Sequence, residues 1–289
     1  MATSQLAASS TEGSKRTSRG SSPPIRGMQR KGKITLANTI TTGDSVRDII
    51  WIYGQPGVGK TSFMAAMSGV FVVVTAKEPG LGKLIDQNRV GETPHTPPIE
   101  TWEDFASILE DLVDSDHEYT MVGIDSITDV AELARDYVVR TEYDGSQAKY
   151  SSSWGAGTTK YRGLLSWMLG KFFELTRRSE SVGVVMTSGA EAHRRNDPQV
   201  GEYHQWQPQI EKNAFEVLAK GSDIILFLRH DAQLDRDGRA VSGTVRVMYT
   251  EGDNTFVAKN RHGLPRQINM GLSGEESRTN LGEAIVASK

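Results

Sequence analysis

The chain has 289 residues, 37% hydrophobic and 24% charged, with 33 Lys+Arg against 36 Asp+Glu for a net charge of −3. That balance suits a soluble globular chain with room for one large α/β domain or two smaller ones, and it gives no global signal for nucleic-acid binding, so any such contact must be local. The absence of cysteine excludes disulfides, a thiol nucleophile and a cysteine metal site; no apolar run approaches the ~20 residues of a membrane span, and the N-terminus lacks the apolar core of a secretory signal, so a cytoplasmic protein is expected.

Residues 1–33 are rich in Ser, Thr, Gly and Arg, with Lys15, Arg16, Arg19, Arg26, Arg30, Lys31 and Lys33 against the single acid Glu12. They read as a disordered basic tail able to add weak, salt-sensitive affinity for DNA. The folded domain is expected over residues 34–270.

Residues 48–53 end in a short apolar run, consistent with a buried strand. Gly54, Gln55, Pro56, Gly57, Val58, Gly59, Lys60 and Thr61 then fill every fixed position of G-x-x-x-x-G-K-[ST], and Ser62 follows. Glycines let backbone N–H groups wrap closely around phosphate oxygens. Lys60 would reach the outer phosphates, and the Thr61 hydroxyl would sit on Mg²⁺. The helix expected over 60–68, stopped by Gly69, aims its positive end at the anion. Strand, loop, helix is the order a phosphate-binding loop requires.

Residues 70–75, VFVVVT, form a second buried strand, which exits through Lys77, Glu78, Pro79 and Gly80. Ligands in parallel α/β sheets sit beyond the carboxyl ends of strands, so Glu78 falls on the rim of the phosphate loop, where a carboxylate can orient an attacking water. A solvated loop carboxylate is the plain alternative. Residues 88–100 carry three prolines and read as a loop. Thr101 with Asp104 resembles a capping box before Phe105, Ile108, Leu109 and Leu112 at helical spacing.

Residues 119–126, YTMVGIDS, are an apolar strand ending in Asp125. Downstream of a phosphate loop, an acid so delivered holds Mg²⁺, often through water. It could equally cap the helix expected over 126–140. Residues 141–159 read as a polar loop with Tyr143, Tyr150, Trp154, Lys149 and Lys160: a platform for single-stranded nucleic acid, or a subunit contact. A helix over 161–178 and a buried strand over 182–188 follow, with Thr187 or Ser188 placed to touch the γ-phosphate or the attacking water. Residues 189–210 read as a second loop that interleaves His193, Arg194 and Arg195 with Tyr203, His204 and Trp206. The two histidines have no third ligand at metal spacing. A helix over 213–219 precedes strands at 223–229, 244–249 and 255–259, with a turn at Asp237-Gly238; strands without intervening helices place antiparallel members at the far edge of the sheet. The last strand would carry Lys259 and Arg261 on one face. Beyond Gly271 the chain reads as a polar tail or a short final helix.

Taken together, GQPGVGKT, the MVGIDS strand and the closing VAKNRHGLP resemble the RecA-like ATPases over residues 48–268. The resemblance is closest to core-only phage nucleotide-binding proteins and ATP-dependent single-strand annealing recombinases. It implies an α/β fold with a RecA-like P-loop core, mainly parallel, with helices on the sheet and antiparallel strands at its C-terminal edge. It also implies ATP and Mg²⁺ as cofactors, single-stranded DNA as partner, a homo-oligomeric ring or filament, and the host cytoplasm as compartment. Glu78 matches the water-activating Glu of that family, although Thr75-Ala76-Lys77-Glu78 departs from its usual Asp-x-Glu. Lys259 and Arg261 resemble the Lys-x-Lys pair presented to ATP in a neighbouring subunit. The two DNA loops would be 141–159 and 189–210. Ser126 after Asp125, where a Glu would mark the AAA+ class, favours the RecA-like side. The function so implied is a DNA-dependent ATPase of annealing or strand exchange. A helicase-loading or motor ATPase, or a nucleotide-gated binding switch with little turnover, would use the same site.

Overall fold

Alternate side chains of the first strand, β1 (Ile49–Gly54), divide between two apolar cores, because successive strand residues face opposite sides of a sheet. Ile49, Trp51 and Tyr53 enter one core; Ile50 and Ile52 enter the other. The computed structural model describes residues 47–178, 180–199, 201–234 and 240–288, with backbone alone for 232–234 and 240–244. The expected basic tail and the Asp237-Gly238 turn lie outside the described residues.

After β1 the chain runs through α1 (Lys60–Ala65), β2 (Val70–Val74), α2 (Gly80–Asp86), α3 (Trp102–Asp114), β3 (Met121–Asp125), α4 (Ile127–Glu142), α5 (Gln147–Ser151), α6 (Ala156–Arg177) and β4 (Gly183–Ser188). It continues through β5 (Ala190–Asp197), β6 (Gly201–Pro208), α7 (Lys212–Gly221), β7 (Ile224–Leu234), β8 (Ala240–Tyr249), β9 (Gln267–Asn269) and α8 (Gly274–Ala287). Seven strands form one sheet in the order β2-β3-β4-β1-β7-β8-β9, and β5 pairs with β6 apart from it. The five strands from β2 to β7 pair in parallel; β8 and β9 add antiparallel members at the edge. This is the α/β fold of a P-loop NTPase. Helices α3, α4, α6 and α7 cover one face, and α1 packs on the other with α8.

Local chemistry explains most boundaries. Thr101 caps α3 by accepting from the Asp104 N–H at 3.1 Å, and its hydroxyl donates to the Asp104 carboxylate at 2.7 Å. Ser126, rather than Asp125, caps α4. The C-terminal segment is helix α8, seated against α1: a Cβ added to Gly274 would lie 2.1 Å from the Ser62 carbonyl oxygen. Only glycine permits that approach.

Three expected segments differ. Residues 189–210 are not a loop but the β5–β6 hairpin. Its turn is built by the Asp197 carboxylate, which accepts from the Gln199 N–H at 2.8 Å, and by Gly201 at φ 81°. Residues 141–159 contain α5 and the first turn of α6, with Ser146 capping α5. Residues 255–259 are not a strand. Asp253 draws in the N–H groups of Thr255 and Phe256 at 2.7 and 3.3 Å, diverting donors a ladder would need. Only isolated bridges remain, Trp206 to Phe256 and Ile225 to Lys259.

Candidate nucleotide site

The phosphate loop leaves β1 where that strand runs between β4 and β7. Gly54 is required there: a Cβ would sit 2.4 Å from the Leu228 carbonyl oxygen of β7. Gly59 adopts φ 102° as the N-cap of α1, a conformation that favours glycine. Behind it stands Arg246 of β8, whose guanidinium donates to the Val58 carbonyl at 3.4 Å and to the Gly271 carbonyl at 2.9 Å. Lys60 folds its ammonium back to the carbonyls of Gly54 and Gln55 at 2.9 and 3.2 Å. Burial lowers its pKa, with Asp125 and Glu78 acting in the opposite sense.

Asp125, at the end of β3, is 4% exposed. One carboxylate oxygen accepts from Thr61 Oγ1 at 2.9 Å and the other from Thr187 Oγ1 at 2.5 Å. Burial raises its pKa, while both hydroxyls and Lys60 favour the ionised form. Thr61 and Asp125 are thus brought together as hard oxygen donors beside the loop, which is the donor chemistry Mg²⁺ uses with one or two protein ligands plus phosphate and water. Among the described residues no three acids or histidines form a metal site by themselves.

A cleft of about 580 Å³ joins these groups. Pro56, Gly57, Gly59, Lys60, Thr61 and Ser62 line it from the loop and α1, and Glu78, Asp125 and Ser126 from the strand ends. Glu78 therefore shares the cleft with Lys60. Burial raises its pKa, then the charges of Asp125 and Asp129; Lys60 opposes them. Ser188 and Thr187 also line the cleft. Thr187 donates to Asp125, and Ser188 Oγ accepts from the buried Trp51 indole at 3.0 Å.

Three contributors escape the sequence patterns. Asp129, one turn into α4, accepts from Thr75 Oγ1 at 2.6 Å, and the Thr75 backbone N–H donates to the Asp125 carbonyl at 2.9 Å. This clamp fixes the exit of β2, and so Glu78, against β3. Arg246 and Arg89 are the others, each brought in from a distant stretch. An i,i+4 acid after Asp125 was the available signal for Asp129; the arginines had none.

Lys259 and Arg261 stand elsewhere. Lys259 bridges to Ile225, near the start of β7, whereas the loop leaves β1 beside Leu228. At ~3.3 Å per residue they lie roughly 10 Å or more toward the opposite end of the sheet. Lys259 donates to the carbonyls of Ala219 and Ser222 at 3.0 and 2.6 Å. Arg261 pairs with Asp223 at 2.7 Å and reaches the Lys220 carbonyl at 3.4 Å.

Comparison with known proteins adds a family to this geometry: a family model described as an AAA domain matches residues 47–262. The chain belongs to that AAA domain family. A nucleotide-binding P-loop ATPase is what the family supports, and it covers β1 through the segment carrying Lys259 and Arg261. Curated proteins yield no match. The Ser126 hydroxyl accepts from the Asp129 N–H at 3.4 Å, the cap of α4. No helix among the described residues is long and apolar enough to cross a membrane.

Proposed function

We propose that the protein hydrolyses ATP with Mg²⁺ and acts on single-stranded DNA as a RecA-like phage recombination ATPase, in annealing or strand exchange, assembled as a homo-oligomer. The observation that carries the ATPase reading is the convergence of Lys60, Thr61, Asp125 and Glu78 on one cleft. In it Gly54, Gln55, Pro56, Gly57, Val58 and Gly59 wrap the phosphates, Lys60 and Ser62 contact them, and Glu78 takes a proton from the attacking water. Thr61 and Asp125 would hold Mg²⁺, which neutralises charge on the phosphate oxygens when bound.

The DNA reading is supported by Trp154, whose φ of 52° and 102% exposure present its ring to solvent between α5 and α6. Lys149 and Lys160 lie on those helices in exposed ion pairs with Asp144 and Glu142 that phosphates would have to displace, and an exposed ring with nearby cations is what base stacking and phosphate contact need. In this reading Lys259 and Arg261 can serve only a nucleotide held by a neighbouring copy, given their place at the other end of the sheet.

The test is ATP turnover with and without single-stranded DNA, with binding followed against salt. Stimulation by DNA, and Trp154→Ala weakening binding by about 5- to 150-fold, are expected, since stacking contributes roughly 1–3 kcal/mol per base. Turnover indifferent to DNA removes the DNA assignment while leaving the ATPase. The AAA description of the family favours one second reading, a motor-type ATPase. Electron microscopy separates them: filaments or annealing rings on single strands support the first, a closed ring translocating on duplex the second.

A further inference from the structure

We propose that Arg89 supplies, within the same subunit, the cation that stabilises charge on the γ-phosphate during hydrolysis. The inference rests on the ATPase reading above and assigns a residue to that site.

Three cationic side chains line the cleft: Lys60, Lys77 and Arg89. Two are engaged. Lys60 holds loop carbonyls, and Lys77 pairs with Glu132 at 2.5 Å. Arg89 is exposed, and its guanidinium has no hydrogen-bond or ion-pair partner among the described residues. A planar fork of donors facing a cleft built for phosphates matches phosphate oxygens better than it matches water.

The backbone holds this arginine in place. Helix α2 ends in a Schellman motif: the Asn88 N–H donates to the Ile85 carbonyl and the Arg89 N–H to the Leu84 carbonyl, both at 2.9 Å. Asn88 takes the left-handed conformation at φ 52° that the motif requires, and asparagine tolerates it better than most residues. Val90 follows and is buried in the core shared with Leu81 and α1. Arg89 is therefore fixed between a closed helix end and a core anchor, while its side chain is unengaged. Leu84 from the same motif also lines the cleft.

Hydrolysis forms a bond from the water oxygen to the γ-phosphorus as the bond to the β,γ-bridging oxygen breaks. The water's proton passes to Glu78, and the bridging oxygen leaves on ADP. Charge on the γ-oxygens and the bridging oxygen is what a guanidinium in reach stabilises.

The experiment compares wild type, Arg89→Ala, Arg89→Lys and Lys60→Ala in steady-state turnover, with binding of ADP and of a non-hydrolysable ATP analogue measured separately. Arg89→Ala is expected to lower kcat by about 10²-fold or more, the effect of removing one preorganised charge-stabilising donor, with ADP affinity within about 2-fold. Arg89→Lys should recover part of the loss. If the wild type binds nucleotide without turnover, Arg89→Ala should weaken the triphosphate analogue selectively over ADP. A kcat within about 3-fold of wild type, or equal loss of ADP and triphosphate binding, overturns the proposal. Mixing Lys60→Ala with Arg89→Ala fixes the geometry: turnover should stay lost, and its recovery would mean that Arg89 acts on a neighbour. A Lys60→Ala variant with normal turnover would instead overturn the ATPase reading itself, and Arg89 with it.

Discussion

The two ends of the central sheet each carry a half-buried lysine bonded to two backbone carbonyls, and the two lysines serve different ends. Lys60 rests on the carbonyls of Gly54 and Gln55, which belong to a glycine loop. Lys259 rests on those of Ala219 and Ser222, in the last turn and at the C-cap of α7. Helix C-termini leave carbonyls without intrahelical partners, and a cation there satisfies them and the helix dipole. Arg261 does the same for Lys220 while pairing with Asp223. Burial lowers the pKa of both lysines, but the companions differ: Asp125 and Glu78 both support the charge of Lys60, whereas Arg261 opposes that of Lys259 and Asp223 supports it. A lysine among acids beside a glycine loop is arranged for an anionic ligand. A lysine that caps a helix is already part of the fold, whatever else it does on assembly.

The sharpest way to break this contrast is to remove each lysine. Lys60→Ala is expected to reduce ATP turnover by about 10²–10³-fold or more with a melting temperature close to wild type; a large loss of stability with turnover retained would reverse the contrast. Glu78→Gln tests the acids of the loop end. It should lower kcat by about 10²–10⁴-fold, the usual range for a general base. The pH profile should lose its acidic limb: Glu78 must be ionised to accept a proton, and because its pKa is raised, wild-type turnover should fall on acidification above the ordinary carboxylate range.

At the opposite end, Lys259→Ala should destabilise the fold by about 1 kcal/mol through the lost helix cap, read as roughly 2–4 °C in thermal melting. Adding Arg261→Ala should deepen that and cut turnover while ADP binding by the monomer stays near wild type. Loss of ADP binding would place the pair in the subunit's own site. The smallest effect on stability is expected at Asp125. Its pKa is raised by burial, so the native state binds protons more tightly than the unfolded chain. The stability this contributes is complete below the ordinary aspartate pKa and is lost as pH rises through the raised value. Asp125→Asn should therefore melt higher than wild type at alkaline pH, while losing Mg²⁺-dependent turnover. Equal melting at all pH values would mean that the hydroxyls of Thr61 and Thr187 fully compensate the buried charge.

The sequence by itself determined the phosphate loop, the buried strand behind it and the acid at the end of β3, because each rests on local chemistry: glycines where backbone must approach a ligand, continuous apolar runs where a strand is buried on both faces. It determined the parallel sheet and its antiparallel edge for the same reason. It did not determine what the exposed polar segments do. The alternation in β5 and β6 is polar on both faces, so no hydrophobic period marked the hairpin. The TFVAK run of residues 255–259 suggests a strand, and only the Asp253 turn, closed by its side chain, shows why the ladder fails there. Tertiary structure alone decided which cations meet the loop. Lys259 and Arg261 are held at the far end by a single bridge to Ile225 and by the close of α7, while Arg89 and Arg246 arrive by the close of α2 and the antiparallel return of β8. Register and helix termini act between segments distant in sequence, and no local pattern encodes where they meet.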